Sequence, residues 1–307
     1  MKFWLEPGHR AAFEHARQMT AHYAKTFYLS ACLLPLEKRW ATFAVYGFCR
    51  YADNLIDTQR NRQAAEILRE IEFLTHELGV AYRTGESEHP ILRPFIAVAR
   101  RYGIPINYPL DLLRGVQMDV HNTRYQNFDE LYIFCYRVAA VVGLMMTHIL
   151  GYEKSEVFAY AEKLGVAMQL TNILRDVQED KDMGRIYIPL DELRAHGCNE
   201  NNILEERMTP AFRELIKFQV DRAHSYYEAS AAGIAMLQAD SRFAIHSASR
   251  IYRGILKRLE ARDYNPFLGR VYMPKHRKFG ILFQEIVRTK IFSLQERLAM
   301  SAGLSLR

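Results

Sequence analysis

LEKRWATFAVYGFCRYADNLID, residues 36–57, decides how this chain is read. Ala41, Ala44, Val45, Phe48, Ala52 and Leu55 recur at steps of three and four. That is the period of a helix burying one face. Outward from this segment the same pattern continues with few breakers. No proline falls between Pro35 and Pro90, Pro109 and Pro189, or Pro210 and Pro266. These stretches are each long enough for several helices. The pattern predicts helices over 10–24, 36–57, 61–80, 91–102, 108–121, 128–151, 153–181, 210–236, 240–262 and 278–298. Thr209-Pro210 is a start signal, threonine as cap and proline in the first turn. No series of alternating strands with hairpin turns is present. The fold class read from the pattern is all-α, one domain over residues 1–307. The longest irregular stretch, MGRIYIPLDELRAHGCNENN (183–202), is expected to be a lid or active-site loop.

The chain has 307 residues, 49% hydrophobic and 25% charged, which excludes a largely disordered protein and allows a sizeable core. Its net charge of +6 is mild. It suits an anionic substrate or membrane surface and is too diffuse for a nucleic-acid binder, for which no motif exists either. Cys32, Cys49, Cys135 and Cys198 form no C-x-x-C pair and are expected to be reduced and buried. MKFWLEPGHR lacks a signal core, and the apolar stretch Val138 to Met146 is too short to span a bilayer. The expected location is cytoplasmic, with peripheral attachment to the membrane face.

Two acidic ladders carry the chemistry. Within 36–57, Asp53 and Asp57 lie four apart, and the same helical face runs back through Arg50, Tyr46 and Phe43. In GVAMQLTNILRDVQED (165–180), Asn172, Asp176 and Asp180 follow at four-residue steps. Met168 and Gly165 continue that face backwards, with Gln169 and Arg175 at its flanks. Carboxylates late in a helix face the negative end of its dipole and repel one another. A cation should offset both terms. The ligands are oxygens, with no His or Cys, so a hard cation such as Mg2+ is expected over zinc. A single D-x-x-x-D is more often a solvated face; two ladders, each with an apolar approach and an arginine within one turn, argue for a site.

The segments CRYADNLID (49–57) and QLTNILRDVQEDKDMGRIYIP (169–189) resemble the two aspartate motifs of the squalene and phytoene synthase family. KTFYLSACLLP (25–35), MDVHNTRYQNFDELYIFCYRVAAVVGLM (118–145), IYRGIL, ARDY and VYMPK extend the resemblance from about Tyr23 to about Arg277. It is strongest to bacterial phytoene synthases. The resemblance implies an isoprenoid-synthase fold around a central apolar cavity. It also implies head-to-head joining of two prenyl diphosphates through a cyclopropyl-carbinyl diphosphate. Geranylgeranyl diphosphate would give phytoene, with no nicotinamide required; farnesyl diphosphate would give squalene, dehydrosqualene or presqualene diphosphate. It further implies metal binding by Asp53, Asp57, Asn172 and Asp176, with Asp180 as the last acid of the second motif. The metal is Mg2+, with Mn2+ as an alternative. Arg50 and Arg175 match diphosphate contacts. Gln169, Tyr46, Tyr252, Tyr23, Lys25, Thr26, Tyr136 and Lys275 match substrate-contacting positions. Within the run Lys275, His276, Arg277 and Lys278, Lys275 is the best match.

The sequence departs from the family pattern at three places. Asn54 stands where many relatives have aspartate, Thr26 where serine is usual, and Ala140-Val141 where phytoene synthases often have Gly-Thr. Small residues at Ser30, Ala31 and Cys32, opposite Phe43 and Tyr46, suggest a deep cavity and twenty-carbon donors. A non-catalytic relative on the same fold would be expected to lose the acidic ladders, and both keep their end residues. The segment KHRKFGILFQEIVRTK (275–290) is a candidate membrane-facing surface. Oligomeric state is not encoded in any motif seen here.

Overall fold

The structure, a computed structural model, describes residues 2–57, 63–274, 276–281 and 283–285, without the side chains of Thr26 and Asp57. Lys275, and the expected 278–298 helix beyond residue 285, lie outside the described residues. Among the described residues there are no strands, only the isolated bridges Arg124 with Ile186 and Tyr152 with Leu237. The chain runs through α1 (Arg10–Tyr23), α2 (Lys25–Cys32), α3 (Leu36–Asp57), α4 (Ala64–Thr84), α5 (Leu92–Tyr102), α6 (Asn107–His121) and α7 (Phe128–Cys135). A π-helical turn, Tyr136–Ala140, leads into α8 (Val141–Leu150). Then follow α9 (Val157–Asp182), α10 (Leu190–Ala195), α11 (Glu200–Leu204), α12 (Pro210–Ser230) and α13 (Ala239–Glu260), and residues 276–281 and 283–285 are again helical.

The 36–57 segment forms its helix over the expected span, and the six periodic residues are all buried in one core. Thr209 caps α12, its hydroxyl accepting from the Phe212 N–H at 3.1 Å, with Pro210 in the first turn. α12 ends at Ser230, and the last six residues of the expected 210–236 helix tighten into a 3-10 turn, Ala231–Met236. The pattern did not mark α2. α2 begins a single residue after α1, with the break at Ala24 (φ −133°, ψ 61°) and no glycine or proline to mark it. The cause is tertiary: Tyr28 stacks on Phe43 at 5.3 Å and Phe27 on Tyr46 at 5.2 Å, laying α2 along α3.

Two clusters of apolar side chains build the core. The first gathers α1, α3, α4, α5, α6 and α8 with the first turns of α9 and α13; the second gathers α7, α10, α11, α12 and the rest of α9 and α13. The half-buried Tyr136 and Ile245 pack against both. The ladder helices therefore belong to different clusters: α3 packs on α1, α5, α6 and α8, while α9 packs on α8, α12, α13 and the π turn. α9 meets that turn closely. A methyl added at Gly165 would lie 2.4 Å from the Ala140 Cα. Ala140, one of the departures from the family pattern, is fully buried at this crossing.

The run Phe128–Leu150 is long and apolar enough to cross a bilayer, longer than the 138–146 stretch suggested. Leu131, Phe134 and Cys135 pack into the second core and Val141, Met145 and Ile149 into the first, so it reads as a core helix. Cys49, Cys135 and Cys198 are buried and Cys32 half-buried, all as free thiols. The 183–202 stretch is less irregular than expected, since it contains α10 and α11. Nor is it loose. The Ile186 N–H donates to the Thr123 carbonyl at 3.0 Å, the Leu190 N–H to that of Tyr125 at 3.0 Å, and Ile186, Tyr187 and Ile188 are buried.

Candidate functional site

On α3, Tyr46, Arg50 and Asp53 share one half-buried face. The Arg50 guanidinium lies over the Tyr23 ring, 4.6 Å from its centroid, which brings the exposed end of α1 to the ladder. Burial pushes the Tyr46 hydroxyl up to about 12; Arg50 opposes this, while Asp53 and Tyr252 add to it. Phe43 does not belong to the open face. It is 1% exposed, held between Tyr28 and Trp40, so the approach to the ladder begins at Tyr46. Ser30 and Ala31 of α2 are buried and Cys32 half-buried. Lys25 is exposed at the start of α2. The side chains of Thr26 and Asp57, and all of Lys275, are outside the described residues.

On α9 the ladder is denser. The Asn172 amide N–H donates to Gln169 Oε1 at 3.2 Å, while Asn172 Oδ1 is buried and accepts no hydrogen bond. One turn on, Arg175 grips Asp176, Nε donating to Oδ1 at 2.7 Å and Nη2 to Oδ2 at 2.5 Å. Arg270 reaches the same carboxylate at 3.1 Å and Glu179 at 3.1 Å. Asp180 has its carboxyl pushed up to about 8, first by burial and then by Asp176 and Asp119, with Arg185 pulling the other way. Asp119 comes from the end of α6. Arg185 pairs with it at 3.2 Å and the Tyr187 hydroxyl donates to it. The tied-down 183–202 stretch thus delivers two side chains to the acidic end of α9.

Tyr252 of α13 joins the two sides. It lies within electrostatic reach of both Tyr46 on α3 and Arg175 on α9. Lys278 also faces Arg175, and burial together with that guanidinium holds its ammonium below the usual lysine range. Tyr136 is half-buried between the two cores, with Asp111, Glu162 and Tyr108 within electrostatic reach.

A buried oxygen without a hydrogen bond, a carboxyl destabilised by neighbouring carboxyls and an all-oxygen donor set fit a hard divalent ion. Among the described residues no three acidic, His or Cys side chains are already drawn together as a metal cage. The arginines hold Asp176 in their place. Arg175 and Lys278, partly buried and within electrostatic reach of each other, suit an anionic ligand.

Sequence reasoning missed Asp119, Arg185, Tyr187 and Arg270, and ranked Lys275 above Lys278. The signal for the first three was present: all lie in segments quoted for the family resemblance. None falls on a helical ladder, so spacing could not single them out. Arg270 precedes the VYMPK segment and has no local pattern at all.

Solved structures place this architecture in a class. A dehydrosqualene synthase in complex with ligand superposes with a TM-score of 0.82 at 29% identity, covering 92% of this chain and 97% of that one. A squalene synthase from Alicyclobacillus acidocaldarius superposes with a TM-score of 0.78 at 24% identity, covering 84% and 96%. The fold is therefore the all-α isoprenoid-synthase fold. The squalene/phytoene synthase family model matches residues 20–277. A phytoene synthase of Arthrospira platensis is 36% identical over 297 residues, 91% of this chain and 94% of that protein. The 15-cis-phytoene synthase of a Synechocystis species is 38% identical over 280 residues, 87% and 82% of the two chains. The chain belongs to the squalene/phytoene synthase family.

Proposed function

We propose that this protein condenses two geranylgeranyl diphosphates head to head, through a cyclopropyl-carbinyl diphosphate, to phytoene, the entry to carotenoid biosynthesis. The observation that carries the reaction class is the grouping at the acidic end of α9. The buried Asn172 oxygen, Asp176, Asp180 and Asp119 stand beside Arg175, Arg270 and Lys278, with Tyr252 linking them to the α3 ladder. Chain length and product rest on the likeness to phytoene synthases over most of the chain. The thirty-carbon alternatives draw support only from the less similar solved structures.

Asp53, Asp57, Asn172, Asp176 and Asp180 would hold the divalent metal, Mg2+ or Mn2+. When bound, the metal supplies positive charge to the leaving diphosphate oxygens. Arg50, Arg175, Arg270 and Lys278 bind those oxygens and hold the departed diphosphate, so that the allylic cation is not recaptured. The half-buried rings of Tyr46 and Tyr252 stand where the cation forms, favouring it by their faces and keeping water away. Tyr23 orients Arg50 from beneath. Gln169 accepts from the Asn172 amide N–H and so holds that side chain, whose oxygen accepts no hydrogen bond of its own. The first cation is captured by the double bond of the second molecule, and loss of a proton from that adduct closes the cyclopropane ring. The second ionisation uses the same cationic groups and releases the second diphosphate, and after rearrangement loss of a second proton ends the sequence without a reductant. We further propose that residues 1–307 act as one domain, peripheral to the cytoplasmic face of a membrane.

The deciding experiment incubates the purified protein with geranylgeranyl or farnesyl diphosphate and Mg2+ in detergent and identifies the extracted hydrocarbon. Phytoene from the twenty-carbon substrate supports the reading. A thirty-carbon product formed faster from farnesyl diphosphate overturns it.

A further inference from the structure

Beyond the site, four of the five most exposed apolar side chains among the described residues cluster along one stretch of chain. Leu268 is 60% exposed, Tyr272 66%, Phe279 56% and Phe283 68%. Phe279 and Phe283 are four apart in the helical residues 276–281 and 283–285, hence on one face. The opposite face is anchored. Glu285 is buried on Arg250 at 2.6 Å, and Lys278 is half-buried within electrostatic reach of Arg175. The amphipathic orientation is thus fixed with its aromatic side outward. Such exposure is unfavourable in water and marks a surface that meets something apolar.

Charge narrows the partner. His276 and Arg277 are exposed beside Phe279, and Arg262 lies half-buried under the 268–269 turn, whose carbonyls it holds. The acids nearby are already matched: Glu179 by Arg270, Asp263 by Arg213 and Glu285 by Arg250. Aromatic residues flanked by cations suit the interface of an anionic bilayer, where rings enter the acyl boundary and cations meet phosphates. The position matters too. Arg270, between Leu268 and Tyr272, pairs with Asp176, and Lys278, next to Phe279, faces Arg175. This apolar surface therefore runs along the rim of the acidic end of the site.

We propose that Leu268, Tyr272, Phe279 and Phe283 form the face on which the protein lies against an anionic bilayer, with the mouth of the site turned to the lipid. The proposal rests on the reading above for its purpose, the transfer of long hydrocarbon chains without crossing water.

The test is co-sedimentation of the full chain with vesicles of phosphatidylcholine alone or mixed with phosphatidylglycerol, at low and high salt. The wild type should bind the anionic vesicles, more strongly at low salt. F279S/F283S should lower the bound fraction at least ~10-fold, as expected for removing two inserted rings. F73S removes an equally exposed ring on α4, 61% exposed, and should change nothing. Retained binding by F279S/F283S, equal loss in F73S, or equal binding to both vesicle types would overturn the proposal. If circular dichroism shows F279S/F283S unfolded, L268S/Y272S decides by the same criterion. Hydrocarbon synthesis in detergent is scored separately: its absence with vesicle binding intact sinks the catalytic reading and leaves this surface standing.

Discussion

Replacing Gly165 by alanine tests whether the seating of α9 sets the chemistry. The new methyl would lie 2.4 Å from the Ala140 Cα, 2.8 Å from the Ala140 nitrogen and 2.9 Å from the Ala139 oxygen. Comfortable carbon contacts begin near ~3.5 Å, so the crossing must open by about 1 Å. All three obstructing atoms are backbone, so no side chain can rotate aside. Overpacking of this kind costs about 1–3 kcal/mol, while alanine regains about 1 kcal/mol of helix propensity. The net expectation is a loss of up to about 2 kcal/mol, despite a substitution that ordinarily strengthens a helix. Function should suffer more than stability. Asn172 and Asp176 lie two and three turns further along the same helix, and a 1 Å displacement of reacting groups costs on the order of 100-fold in rate. Denaturant unfolding and steady-state turnover, measured together, check this. A Gly165→Ala protein that is more stable than wild type and turns over normally would refute the close crossing and its role.

Three further outcomes are expected. Asp180 keeps its proton in the folded protein up to about pH 8, whereas an unfolded aspartate loses it near 4. The metal-free fold therefore loses stability as pH rises through that window, and Asp180→Asn should remove the loss, on the order of a few kcal/mol at pH 8 and little at pH 4. Equal effects of Asp180→Asn at both pH values, in chelator, would contradict the burial argument. Asp176→Asn should lower turnover at least ~100-fold, about 2.7 kcal/mol of barrier. It should not raise stability in chelator, because Arg175 and Arg270 lose their shared carboxylate; near-normal turnover at saturating Mg2+ would exclude Asp176 as a ligand. Ala31→Phe, on the buried side of α2, should shift preference from twenty- toward fifteen-carbon donors, and an unchanged ratio of the two activities removes Ala31 from the chain-length wall.

Periodicity read most of the fold because most helices here are bounded by ordinary signals. α3 is delimited by Pro35 before it and kept regular by its buried stripe. α12 opens on a cap and a proline, and α5 closes on Gly103 at φ 64°. The helical run from 128 to 150 was read as one helix, but its π turn at Tyr136–Ala140 has no sequence mark. It forms where α9 crosses over Gly165, a contact between residues 25 apart. The break at Ala24 is of the same kind, imposed by stacking between α2 and α3. Spacing within one helix predicted which faces of α3 and α9 hold acids. It could not show that Asp119, from α6, and Arg185 and Tyr187, from a loop, converge on Asp180. Nor could it single out Lys278 within the basic run, since its electrostatic partner Arg175 lies about a hundred residues away on α9.

The same convergence explains how a crowded acidic site survives without its ligands. Asp176, Glu179, Asp180 and Asp119 would repel one another if left bare, and the structure answers with guanidiniums: Arg175 and Arg270 on Asp176, Arg270 on Glu179, Arg185 on Asp119. A metal ion would compete with those arginines for the carboxylates, and a diphosphate would compete with the carboxylates for the arginines. When both arrive together, each set of protein charges exchanges one partner for another of the same sign. No side chain need be left buried and uncompensated, which is the costly outcome when one member of such a pair is removed. Either ligand alone would strand charge of one sign. The pairing of acids with arginines in the resting protein is thus compatible with the same residues being ligands, with Arg175 an ion-pair partner of Asp176 at rest and a diphosphate contact when both ligands are bound.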